Sequence, residues 1–186
     1  MDSTCTFAEA LSWAQSECET ALSQFLGTKV NFSPEECSER MADQLLVIVG
    51  QFSQIDEVNR AIIVGVYGDL QGYLVIFLPP EDADRLAAYM LEGETDPEMK
   101  ESVLAEIGNL TTARLLMGIS KGLKLNGGAL PTPPVTQVDF SGALLQSLTA
   151  LLLSQGQMKV MHSVWKLKVN LPNSQASGTA HFFLPL

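Results

Sequence analysis

The chain has 186 residues, 46% hydrophobic and 17% charged, which is enough apolar material for one sizeable core and a poor composition for disorder. Eleven Lys and Arg against 21 Asp and Glu leave a net charge of −10, so no basic stripe is available for nucleic acid or an anionic membrane surface. The three cysteines, Cys5, Cys18 and Cys37, are odd in number and at no metal-ligand spacing, which fits reduced thiols in a cytoplasmic protein.

The N-terminal stretch carries acids early and no basic region before an apolar run, so it is not expected to act as a signal peptide. The longest apolar runs fall short of a membrane span. Ala8, Leu11, Ala14, Cys18, Ala21, Leu22 and Phe25 keep helical spacing and predict a helix from about Thr6 to Leu26, stopped by Gly27. "TKVNFS" reads as a short strand. "SPEECSERM" suits a loop or short helix, and "QLLVIVGQF" is apolar and β-branched enough for a strand. "AIIVGVYGDLQGYLVIFLPP" is the clearest hairpin, followed by a helix with Pro80 near its start and Gly93 past its end. The strands from Ala61 to Phe77 are candidates for an exposed edge.

The same order returns. A helix opens at Asp96, a candidate N-cap, with Pro97 at its first position. "LKLNGGALPTPPV" is a short strand and rigid loop, "SGALLQSLTALLLSQG" a helix, and "KVMHSVWKLKVNL" and "GTAHFFLPL" are strands. Each half closes alike, "GYLVIFLP" from Gly72 and "GTAHFFLP" from Gly178, with Leu-Pro at the same offset from the Gly. This self-similarity predicts a single domain over 1–186 made of two repeats, about 6–94 and 95–186. The fold class expected is α/β (α+β): pseudo-two-fold helix-plus-strands units, one mixed or antiparallel sheet, and the two long helices on one face.

The second long helix, in "ESVLAEIGNLTTARLLMGISKGL", has an unusual outer face. At about 100° per residue, Ser102, Glu106, Asn109 and Ala113 fall in one strip about 60° wide. Leu104, Ile107, Gly108, Thr111, Leu115 and Gly118 make the opposite face, fit to lie on a sheet. Ser, Glu and Asn are ordinary surface residues, and Glu with a partner three positions on is a routine helix pair. The strip stands out because its surroundings lack the long charged side chains of a solvated helix, which is the look of a docking surface. The first helix carries a worn version: Cys5, Glu9 and Ser12 stand where Ser102, Glu106 and Asn109 stand in the second. No nucleophile–base pair or metal cluster is apparent nearby, and His162 and His181 fall in strands, where each is expected to be structural or merely exposed rather than catalytic. Inserted into a partner's site, a carboxylate can pair with a Lys or Arg while a carboxamide orients a water at a phosphoryl group.

"SVLAEIGNLTTARL", "LPTPPV" and "DFSGALLQSL", with "ETALSQFLGTKVNFSP" in the first half, resemble the CheC/CheX/FliY family of chemotaxis phosphatases, and the two-repeat layout is most similar to CheC. The family signature, Asp or Ser, three residues, Glu, two residues, Asn and a later Pro, reads here as Ser102, Glu106, Asn109 and Pro131 or Pro133, with strict spacing falling on Thr132. The resemblance implies hydrolysis of the aspartyl-phosphate of a CheY-type response regulator. Glu106 would pair with the regulator's Lys, Asn109 would position the water, and Ser102 would support them. The regulator would bring Mg²⁺, so no cofactor of the chain's own is implied. Glu9 and Ser12 would form a degenerate second site, since a Ser reaches less far and presents no amide. Two alternatives remain open. One is a non-catalytic adaptor or switch module that binds a regulator or a CheD-type deamidase. The other is an unrelated enzyme using Glu106 as a general base, which would need burial that an outward face does not supply.

Overall fold

The structure, a computed structural model, describes residues 3–51, 56–93, 96–126 and 128–186; the side chains of residues 3–6 and 8, Cys5 among them, lie outside the description. The order is α1 (Ser3–Leu26), β1 (Val30–Met41), α2 (Leu45–Val49, after a 3-10 turn over Ala42–Gln44), β2 (Val58–Gly68), β3 (Gly72–Leu78), α3 (Pro80–Met90), α4 (Pro97–Leu123), β4 (Ala129–Pro131), β5 (Val135–Phe140), α5 (Ser141–Ser154), β6 (Lys159–Leu171) and β7 (Ser174–Pro185). Among these elements no helix is long and apolar enough to cross a membrane.

The strands form one antiparallel sheet in the order β1-β6-β7-β3-β2, with β4 and β5 end to end along the far side of β2. The first strand of each half therefore lies on the hairpin of the other half. The two hairpins meet where β3 pairs β7, Tyr73 opposite Phe183 and Phe77 opposite Thr179. These are the two similar segments of the sequence, and their fourth residues, Val75 and His181, face each other on the pseudo-two-fold axis.

α1 and α4 pack side by side and antiparallel on one face of the sheet, with Ala10 against Gly122 and Ala14 against Gly118. Seven buried positions of one coincide with seven of the other at a constant offset of 97 residues. Phe7, Ala10, Leu11, Ala14, Cys18, Ala21 and Leu22 answer to Leu104, Ile107, Gly108, Thr111, Leu115, Gly118 and Ile119. The face expected to lie on the sheet is thus the buried one, and small residues at the crossing let the two backbones approach. A Cβ at Gly118 would collide with both Cβ and Cα of Ala14. Gly118→Val is expected to cost about 2 kcal/mol through that overpacking, read as a lower urea midpoint.

Three readings of the first half are corrected. "SPEECSERM" is neither loop nor helix: β1 runs on to Met41, opposite Lys159. Its weak strand propensity is offset across the ladder by Glu35–Lys166 at 3.0 Å and Glu39–Lys159 at 2.9 Å. "QLLVIVGQF", whose Phe52 lies outside the described residues, is not a strand over 44–51 but contains α2, whose buried Leu45, Ile48 and Val49 keep helical spacing. Leu45 and Val49 join Leu144, Leu145, Leu148 and Leu152 of α5 in a second core on the opposite face of the sheet. The loop from 131 also yields more order than expected, since β5 pairs β2 from Ile63 to Val58. The expected edge at Ala61 to Phe77 is interior, because β2 and β3 have partners on both sides; β1 and β4–β5 are the outer strands.

Candidate functional site

Asp96 caps α4 by accepting the Glu98 N–H at 3.0 Å, and Pro97 occupies the first position, so the helix starts where the sequence sets it. Its buried threonines spend their hydroxyls internally, Thr111 on the Ile107 carbonyl at 2.6 Å and Thr112 on that of Gly108 at 2.7 Å. Gly108 lies directly on Ile62 and Val64 of β2, which brings the helix down onto the sheet.

With that face fixed, Ser102 and Glu106 are exposed and Asn109 is half-buried, in one outward column. Glu106 and Asn109 are one helical turn apart, which places their Cβ atoms about 5–6 Å from one another. Among the described residues none of the three side chains has a hydrogen-bond or ion-pair partner. Glu98, Met99, Ala113 and Met117 are the other exposed groups along this side. A carboxylate with unclaimed lone pairs and a carboxamide with both donor and acceptor free thus stand on a rigid element among small or unbranched neighbours.

The column is braced from behind by a residue the sequence did not single out. Glu101 points away from Ser102 and accepts from Arg60 of β2 through one oxygen and from the Thr136 hydroxyl of β5 through the other. This clasp ties the second turn of α4 to two strands. Glu101→Ala is expected to cost about 1–2 kcal/mol, since Arg60 is mostly buried and would lose its partner. Faster amide exchange over residues 98–106 would report the slackened turn.

The loop after β4 is fixed to the same strand. The Thr132 N–H donates to the Gly65 carbonyl at 2.8 Å, and its hydroxyl accepts the Gly65 N–H at 3.0 Å. Val30 opens β1 and Ala129 opens β4, and four residues on from each stands a proline, Pro34 within β1 and Pro133 just past the end of β4. Both fall where pairing is interrupted, β1 shifting register between Pro34 and Glu36 and the other ladder breaking between Pro131 and Val135.

Glu9 and Ser12 are both exposed on α1, and the Cys5 side chain lies outside the described residues. Because the helices run antiparallel, the two columns lie toward opposite ends of the pair and are not brought together. At about 1.5 Å per residue, Glu9 and Glu106 are separated by about 25 Å along the helix direction. Cys18 is buried, donates to the Thr111 carbonyl at 3.5 Å and has its thiol pKa pushed up by burial. Cys37 is raised for the same reason and accepts from the Ser163 hydroxyl at 3.2 Å. Neither thiol is a ready nucleophile. His162 and His181 are buried on the α5 face, 3.1 Å apart between ring nitrogens and stacked with Phe183, so they are structural, as expected. Among the described residues no group of His, Cys, Asp and Glu could hold a metal ion.

The sequence matches no protein-family model and no curated protein. The structure matches solved ones along nearly its whole length. FliY of Thermotoga maritima aligns over 97% of this chain and 89% of its own, with TM-score 0.69 and 17% identity. CheX of Borrelia burgdorferi, from a complex with CheY, BeF3 and Mg²⁺, aligns over 97% and 98%, with TM-score 0.56 and 18% identity. FliM of H. pylori, from a complex with SpeE, aligns over 98% and 87%, with TM-score 0.62 and 10% identity. The chain has the fold that FliY, CheX and FliM share, as its resemblance to the CheC/CheX/FliY family implied.

Proposed function

We propose that the chain is a phosphatase for the aspartyl-phosphate of a CheY-type response regulator, acting through Glu106 and Asn109. The observation that carries this reading is the outward pair on α4, a carboxylate and a carboxamide one turn apart, unpartnered and held on a braced helix. The CheX of similar fold was solved in a complex with CheY, BeF3 and Mg²⁺, a partner of this chemistry. Glu106 pairs with a regulator lysine beside the acyl phosphate, which orients the docked complex. Asn109 holds a water in line with phosphorus. The water oxygen forms the new P–O bond as the bond to the aspartate oxygen breaks, releasing inorganic phosphate and restoring the carboxylate. Mg²⁺ belongs to the regulator and offsets the charge on the phosphoryl oxygens. Ser102 flanks the pair and supports the docked surface.

The test is the decay of a phosphorylated CheY-type regulator with the parent chain, Glu106→Ala and Asn109→Ala side by side. Acceleration by the parent and its loss in both variants supports the reading; equal rates with and without the parent chain sink it. A second reading, a non-catalytic adaptor or switch module, draws on the FliM of like fold in complex with SpeE, a different partner. It extends to a deamidase-type partner. Regulator binding without faster phosphate loss would favour it.

A further inference from the structure

The α1 face is more than a copy of the α4 face with one residue worn away. The offset of 97 residues places Glu9 on Glu106, Ser12 on Asn109 and Trp13 on Leu110. Ser12 accounts for a missing water-positioning amide, but not for any loss of docking, since Glu9 is present and exposed. The antiparallel packing adds a residue from the other helix. Glu9, Trp13, Lys121 and Gly122 line one cleft, and Lys121 Nζ stands 4.5 Å above the centre of the Trp13 ring. The same offset gives the counterpart of Lys121 on the α4 side as Gln24, which is uncharged.

Resting on the reading of α4 as the regulator's docking face, we infer that Lys121 shuts the α1 face. Held over Trp13 by attraction between cation and ring, its ammonium occupies in cis the cleft that Glu9 lines, where a regulator's lysine would have to enter to reach Glu9. An incoming lysine meets a like charge in the cleft that Glu9 lines. The bulk of Trp13, where the α4 face has Leu110, closes the same approach. One chain therefore engages one phosphorylated regulator, and Lys121 and Trp13 determine which of two related faces is used.

The proposal is tested with variants that give α1 the residues of the α4 side, Trp13→Leu and Lys121→Gln. The binding probe is a CheY-type receiver domain carrying beryllofluoride and Mg²⁺, titrated by calorimetry. The parent chain is expected to bind one receiver and the Trp13→Leu/Lys121→Gln chain two. A parent stoichiometry of two, or a double variant that stays at one, overturns the proposal. Turnover gives an independent arm in the Asn109→Ala background. Adding Ser12→Asn alone should leave the chain inactive, whereas adding it with Trp13→Leu and Lys121→Gln should restore phosphate release. Recovery with Ser12→Asn alone overturns the role of Lys121, as does no recovery with all three. A parent chain that binds no receiver removes the α4 reading itself and this inference with it, and zero is distinct from every other result.

Discussion

Asn109→Ala is expected to slow catalysed dephosphorylation of the regulator about a hundredfold, the usual consequence of losing the group that aligns a reactant. That factor corresponds to about 2.7 kcal/mol of lost transition-state stabilisation. The loss should fall on kcat, because the amide acts on the attacking water, and leave regulator affinity nearly unchanged. Folding stability should shift by less than about 0.5 kcal/mol, since Asn109 has no partner within the described chain and lies on the outer face. Asn109→Ser should be as inactive as alanine, because a hydroxyl on a shorter stem cannot reach the water from the same backbone position. Glu106→Ala should act differently, raising KM for the phosphorylated regulator through loss of the carboxylate–lysine pair. Single-turnover decay at saturating chain separates the two effects. An Asn109→Ala chain that turns over at the parent rate would remove the amide from the mechanism.

The column behind this prediction was legible because helical periodicity is local. Asp96, Pro97 and the spacing of Leu104, Ile107, Thr111 and Leu115 fix where α4 starts and which side it buries, and hence which side Glu106 and Asn109 present. What holds the column was not legible. Glu101 looks like any surface acid until the pairing of β2 with β5 brings Arg60 and Thr136 to it. Trp13 and Lys121 are 108 residues apart and meet only because two helices cross antiparallel. β1 failed in sequence for a related reason. "SPEECSERM" has the residues of a loop, and its strand state rests on lysines of β6 more than a hundred positions away. α2 shows the opposite error: a short β-branched run has no local mark that separates a strand from one buried turn of helix. The repeat was visible as similar strand ends, but their mutual pairing about Val75 and His181 is a property of the sheet.

His181 and its neighbour His162 set the second large effect, an acid-sensitive fold. His162 and His181 share one hydrogen bond at 3.1 Å between Nε2 and Nδ1, and the other nitrogen of His181 lies 3.0 Å from the Thr179 hydroxyl. The arrangement with fewest costs has His162 Nε2–H donating to His181 Nδ1 and His181 Nε2–H donating to Thr179. His162 Nδ1 is then a buried acceptor without a partner, a lesser penalty than a buried orphan donor. A proton on His181 Nδ1 would set two N–H groups head-on, which holds that ring neutral, while a proton on His162 Nδ1 would be a buried donor without a partner. Burial depresses the His162 pKa to about 4, with Glu36 opposing and Arg40 adding to the shift, and burial places His181 well below its ordinary value. Above pH 6.5 the folded and unfolded rings are alike neutral and this contribution to stability is fully present. As pH falls from 6.5 towards 4 the unfolded chain takes up protons that the fold refuses. His162 alone then removes about 3 kcal/mol, and His181 acts in the same direction. Glu36, whose pKa is lowered by Ser38 and Arg40, loses its contribution only further down, below the ordinary carboxylate range, so the two windows separate. Urea midpoints should therefore drop steeply between pH 6.5 and 4.5, and His162→Leu/His181→Leu should flatten that slope. Imidazole resonances that titrate near pH 6.5 in the folded chain would contradict the neutral pair, because a ring free to take a proton there gives the unfolded state no advantage.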